Sequence, residues 1–81
     1  MAQAQTLETI YDLIAPLNKK GIKLLAEVSF AADLEFDRLT VMDLVAEIED
    51  EFDIILPLNL LPDLENIGQV GDAVDRIVSE G

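Results

Sequence analysis

Carboxylates dominate the chemistry open to this chain. Asp33, Glu35, Asp37, Asp43, Glu47, Glu49, Asp50, Glu51 and Asp53 fall within one short stretch, and Arg38 is the cation among them. Such groups can hold a metal ion, move a proton or present negative charge. The run Asp33-x-Glu35-x-Asp37 starts like a calcium loop, but that pattern then requires glycine at its sixth position and glutamate at its twelfth. Those positions are Arg38 and Leu44, so no specific metal site is expected. Without cysteine, disulfides and thiolate metal sites are excluded. Without histidine, zinc binding and imidazole base chemistry are not expected either. Acids along an exposed helix lack the desolvated pocket that separates paired carboxyl pKa values, so the chain does not read as an enzyme. Presenting charge is what remains.

The elements that hold those acids can be read from spacing. The stretch from Phe30 to Asp53 is an ordered loop running into a capped helix. Asp37 is the N-cap, because its carboxylate can accept from first-turn N–H groups that have no helical partner. Leu39, Met42, Leu44, Val45, Ile48 and Phe52 form an apolar stripe at spacings of three and four. Asp43, Glu47, Glu49, Asp50 and Glu51 take the rest of the surface.

Before that helix, Thr6 is a candidate N-cap, and Leu7, Ile10, Leu13, Ile14 and Leu17 repeat at helical spacing. Tyr11 lies at the edge of that face. Pro16 ends the main helix near Ala15, with an irregular turn to Asn18. Asn18-Lys19-Lys20-Gly21 is a stop signal, with a glycine able to take positive φ. Ile22 to Asp37 is too apolar for a free linker and is expected to lie pinned across the helices.

After it, Ile54 to Asp63 carries two prolines and has no second strand to pair with, so a connector is expected instead of sheet. A short helical turn falls at Leu60 to Glu65. Asn66 then caps a last helix from Ile67 to Ser79, whose inward face is Ile67, Val70, Ala73, Val74, Ile77 and Val78. Glu80 and Gly81 should fray. The expectation is a single all-α domain over residues 1–81, a small four-helix bundle with a long first loop and a short third helix.

Composition agrees with a folded chain. Of the 81 residues, 51% are hydrophobic, enough for one small core. The net charge of −12, from 17 acids against 5 bases, makes nucleic acid and anionic membrane surfaces poor partners and a basic protein surface a good one. No apolar run reaches the roughly 20 residues that span a bilayer. The start, Met1-Ala2-Gln3-Ala4-Gln5, lacks the basic and apolar regions of a signal peptide. A cytoplasmic monomer is the expectation.

The central stretch resembles the prosthetic-group helix of acyl carrier proteins. That family has Asp-Ser-Leu at a loop–helix junction and an acidic helix ending near Glu-Glu-Phe-Asp. The matching residues here are Asp37-Arg38-Leu39 and Asp50-Glu51-Phe52-Asp53. The resemblance covers most of the chain and is weaker before Thr6 and around Pro16. The segment Leu56 to Pro62 is similar to specialised alphaproteobacterial-type carriers of sphingolipid or other lipid synthesis.

The resemblance implies a non-catalytic carrier of acyl chains in lipid or fatty-acid metabolism. It implies 4′-phosphopantetheine on the motif serine, attached by a phosphopantetheinyl transferase, and acyl-transfer or lipid-synthesis enzymes with basic patches as partners. Carried over, Asp37 matches the motif aspartate and Leu39 a buried leucine. Asp43, Glu47, Glu49, Asp50 and Glu51 become partner-docking acids. Leu44, Val45, Ile48, Phe52, Ile55, Leu60, Leu61 and Val70 become candidates to line an acyl pocket, or else ordinary core.

The departure is Arg38, which stands at the serine position. A guanidinium has no hydroxyl and stays protonated, so no phosphodiester can form and the cofactor is expected to be absent. Ser29 lacks the flanking Asp and Leu. Thr40 lies about 200° further round the helix. Two accounts of Arg38 stay open, a replacement that holds the protein unmodified or a relative that no longer carries an arm. The alternative function is a non-carrying module that docks basic enzyme surfaces through its acidic second helix.

Overall fold

The computed structural model describes residues 3–80, except for the side chains of Leu58 and Leu61. Met1, Ala2 and Gly81 lie outside the described residues. Three α-helices are present, α1 (Ala4–Ile14), α2 (Arg38–Phe52) and α3 (Ile67–Glu80). Two 3-10 segments, Ala15–Leu17 and Leu58–Asp63, join them. The described residues form no strand, only an isolated bridge between Ser29 and Asn66. The fold is thus all-α as expected, but the short element expected at Leu60 to Glu65 is 3-10 and begins at Leu58. Pro57 immediately before it and Pro62 inside it each lack the N–H that a longer α-helical ladder requires.

The first helix begins earlier than expected. Thr6 is not its cap but lies inside it, nearly buried. The Thr6 hydroxyl donates to Asp75 Oδ1 at 2.5 Å, and the Gln3 backbone N–H donates to Asp75 Oδ2 at 2.7 Å. One carboxylate on α3 therefore ties down the start of α1 at two points. At the other end Asn18 Oδ1 accepts from Ile22 N, and Asn18 Nδ2 donates to Ile22 O. Gly21 takes φ +67°, which lets the chain reverse there.

Each helix contributes to one core. Ile10 and Ile14 come from α1, Leu44, Val45 and Ile48 from α2, and Ile67, Val70 and Val74 from α3. The loop adds Val28, Phe30 and Leu34, and the connector adds Leu56. Phe30 and Phe36 stack with centroids 6.3 Å apart. Val78, expected on the inward face of α3, is 51% exposed. The start of α1 meets α3 at Asp75, one turn before Val78, while Ile77 beside it still packs against the core.

The long loop is fastened to the start of α3. Phe30 N donates to Glu65 O, Ile67 N to Val28 O, and Gly68 N to Ala26 O at 2.8 Å. Gly68 permits this approach, because a Cβ there would sit 3.1 Å from Ala26 O. Asn66 caps α3 as expected, its Oδ1 accepting from Gln69 N at 2.9 Å. Gln69 Oε1 reaches back to accept from Glu65 N and Asn66 N, which completes a reciprocal capping box.

Candidate functional site

The start of α2 is the best-defined polar site. Asp37 sits before it in extended backbone, and its Oδ1 accepts from Thr40 N at 2.8 Å. That hydrogen bond from the backbone favours the ionised form and holds the Asp37 carboxyl below its ordinary value. Arg38, the first residue of α2, is exposed. No ion pair engages it among the described residues. The acids just upstream have other partners. Glu35 pairs with Lys20, whose hydrogen bond and charge lower its carboxyl pKa. Asp33 Oδ2 accepts from Ser29 N at 2.8 Å. Ser29 Oγ in turn accepts from Ala32 N and Asp33 N, so this hydroxyl is part of the loop turn. The three carboxylates of the calcium-like run are thus directed to three different protein partners.

Leu39 corrects the expectation of a buried leucine, since it is 75% exposed. Helical phase explains it. Ile48 marks the core side of α2, and nine residues at about 100° each put Leu39 about 180° away. Met42 also departs from the stripe and is 39% exposed. From Leu39 the helix continues through Asp43 and Glu47 in steps of four to Asp50 and Glu51, which lie three and four residues beyond Glu47, and all of them are exposed. They form one solvent-facing strip with an apolar head and an acidic body. Like charges at such spacing destabilise an isolated helix by about 0.2–0.5 kcal/mol per pair. The strip therefore costs stability and gains most from a basic surface laid against it.

Glu49 differs from the other acids. It is half-buried, and its Oε2 accepts from Leu56 N at 2.8 Å. Asp53 ends α2 in the left-handed region at φ +55°, and Glu49 O accepts the Asp53 and Ile54 N–H groups. Glu49 therefore ties the end of the helix to the connector, a role that the run of acids in the sequence did not reveal.

A groove of about 940 Å³ opens beside Arg38. One wall is the loop, with Phe30, Ala31, Ala32 and Phe36, and another is Val41 and Met42 of α2. Pro62 and Leu64 close a third side, and Ser29, Asp37, Arg38 and Glu65 supply polar atoms. None of the seven described positions expected around an acyl pocket lines it. Leu44, Val45, Ile48 and Val70 are buried core, while Phe52 and Leu60 are half-buried. Ile55 is 79% exposed, because the extended connector alternates and turns Leu56 inward instead. The Leu61 side chain lies outside the described residues. Sequence periodicity could not find the groove, since its walls come from three separate segments.

A capped helix with an acidic strip, a pinned loop before it and a groove at their junction define a small helical domain, and known proteins are similar to it in sequence and fold. A family model described as "Phosphopantetheine attachment site" matches residues 8–74. The acyl carrier protein of Chlorobium phaeobacteroides is 39% identical over 99% of this chain and all of its own length. That of Chlorobium phaeovibrioides is 37% identical over the same shares. A solved structure from Mycobacterium tuberculosis, described as an acyl carrier protein, superimposes with a TM-score of 0.80 at 28% identity, covering 88% of this chain and 96% of that one. The chain belongs to the acyl carrier protein family. Members of this family are carriers and not enzymes. Among the described residues, no helix is long and apolar enough to cross a membrane.

Proposed function

We propose that this chain is an acyl carrier protein of lipid or fatty-acid metabolism whose attachment position is occupied by Arg38, so that it takes no 4′-phosphopantetheine. One observation carries the reading. Arg38 is the exposed first residue of α2, placed between the capping Asp37 and the exposed Leu39. A serine there would offer its hydroxyl to a transferase beside helix-start N–H groups that favour a phosphate. The arginine offers no hydroxyl, so the residues present do not fit covalent attachment. The 3-10 segment Leu58–Asp63 stands in this reading for the family's short third helix, which makes the bundle one of four.

The strip from Leu39 through Asp43, Glu47, Asp50 and Glu51 is read as the docking surface for a basic patch on a lipid-synthesis enzyme. Its attraction should weaken as salt rises, with a screening length of about 8 Å at physiological ionic strength. Leu44, Val45, Ile48, Phe52, Leu60 and Val70 remain pocket candidates only if the core separates to admit a chain.

Intact-mass spectrometry after incubation with coenzyme A and a phosphopantetheinyl transferase tests the proposal. The chain should stay at its own mass, and Arg38→Ser should gain the arm. An unmodified Arg38→Ser protein would remove the carrier reading.

The presence of Arg38 beside an intact strip favours a second reading, a non-carrying module that occupies enzyme docking surfaces. Binding of the unmodified chain to an acyl-transfer enzyme, lost in Asp43→Asn/Glu47→Gln, would support it. Glu49 is left out of that variant because it ties down Leu56.

A further inference from the structure

We propose that the groove beside Arg38 is a non-covalent binding site for a free fatty acid, with the carboxylate held by Arg38 and the chain laid along the apolar walls. This goes beyond the carrier reading, which needs no free ligand. Three observations carry it. The groove's volume, about 940 Å³, lies within the roughly 300–1,000 Å³ of small-molecule sites. Its walls are mostly apolar, with Phe36 and Leu64 half-buried and Met42 39% exposed. Arg38 is the one cation among the groove's described lining residues.

Charge then selects the occupant. Two carboxylates also border the groove. Asp37 stays ionised on its hydrogen bond from Thr40 N, and Glu65 is exposed, so both would repel an anionic head everywhere but at the guanidinium beside them. An anionic head group therefore has one place to sit, at Arg38, with its tail leading away along Phe30, Val41 and Leu64. A guanidinium also suits a carboxylate, which it can bind through two parallel N–H donors. More distant acids matter less at physiological salt, where charges beyond about 8 Å are screened.

The test is a titration of the unmodified chain with sodium decanoate below its micelle concentration in about 0.15 M salt, followed by amide NMR. Saturable shifts are expected at Ala31, Val41 and Leu64. Affinity should rise from octanoate to decanoate to dodecanoate, by up to about fourfold per added methylene if each is fully buried. Arg38→Gln should weaken decanoate binding about tenfold, the low end for a hydrogen bond to a charged group, while leaving the remaining amide positions in place. Arg38→Lys should keep most of the affinity. Shifts that never saturate, equal binding of dodecyltrimethylammonium, or unchanged affinity in Arg38→Gln would overturn the proposal. These outcomes are separate from the mass measurement. If decanoate fails to bind while Arg38→Ser gains the arm, this site alone falls. If decanoate binds while Arg38→Ser stays unmodified, the carrier reading alone falls.

Discussion

Removing the Asn66 side chain should loosen the junction between the long loop and α3. Asn66 Oδ1 accepts from Gln69 N at 2.9 Å, and Gln69 Oε1 accepts from Glu65 N at 2.7 Å and Asn66 N at 3.0 Å. Loss of an Asn cap to alanine costs about 1 kcal/mol, whereas glycine at the same place costs only a few tenths. At about 0.05–0.15 kcal/mol per residue, the 81-residue chain has about 4–12 kcal/mol to lose. Each kcal/mol lowers the Tm of a domain this size by about 4–8 °C. Asn66→Ala should therefore melt about 4–8 °C below the parent, and Asn66→Gly within about 2 °C of it. Gln69→Ala frees two exposed N–H groups that water can reach, so its loss should be smaller. Because both side chains order the same turn, the double variant should lose about 0.5 kcal/mol less than the sum. Thermal melts by circular dichroism measure the parent and all four variants. Hydrogen exchange should also quicken at Phe30, Ile67 and Gly68, whose N–H groups cross this junction. An Asn66→Ala melt equal to the parent's, or strictly additive losses, would refute the reasoning.

Three further outcomes are expected. Ile48→Ala empties a fully buried site and should lower the unfolding free energy by about 2–5 kcal/mol in a denaturant titration. Leu39→Ser should change stability by no more than about 0.5 kcal/mol, because the side chain is 75% exposed, yet weaken binding to a carrier-dependent enzyme in a titration calorimeter. Asp37 and Glu35 both have carboxyl pKa values below their ordinary 3.8 and 4.5. A depressed folded pKa adds stability above the unfolded value, and that stability is lost as pH falls through the folded one. Their contribution should be complete at neutral pH, fade as pH falls towards the ordinary values, and disappear only once pH lies below the lowered folded ones. In an NMR titration, Lys20→Met should move the Glu35 midpoint back up and leave Asp37 where it is.

Local signals in the sequence were reliable where one residue decides one turn. Asp37 caps α2, Gly21 takes positive φ, and Asn66 opens α3, because each depends on its own backbone and a neighbour three or four positions away. Thr6 misled because its hydroxyl has a partner 69 residues away in Asp75, which no local rule can see. Leu39 and Ile55 misled differently. Both are apolar, and apolarity alone suggested burial, but helical phase turns one outward and strand-like alternation turns out the other. Glu49 stands in a row of acids that look alike, and only the position of Leu56 N sets it apart. The acidic strip was legible because it lies on one helix. The groove was not, because Ala31, Val41 and Pro62 meet only after the loop has folded back.

The three backbone bonds from the loop to the beginning of α3 determine how the groove can change size. Phe30 and Glu65, which stand on two of its borders, are joined through one of those bonds and must travel together. Val41 and Met42 belong to the other body, α2, which is bounded by the junction at Asp37 and the left-handed turn at Asp53. Leu44, Val45 and Ile48 of the same helix are buried in the core shared with α1 and α3, so α2 cannot move to widen the cleft without disturbing that core.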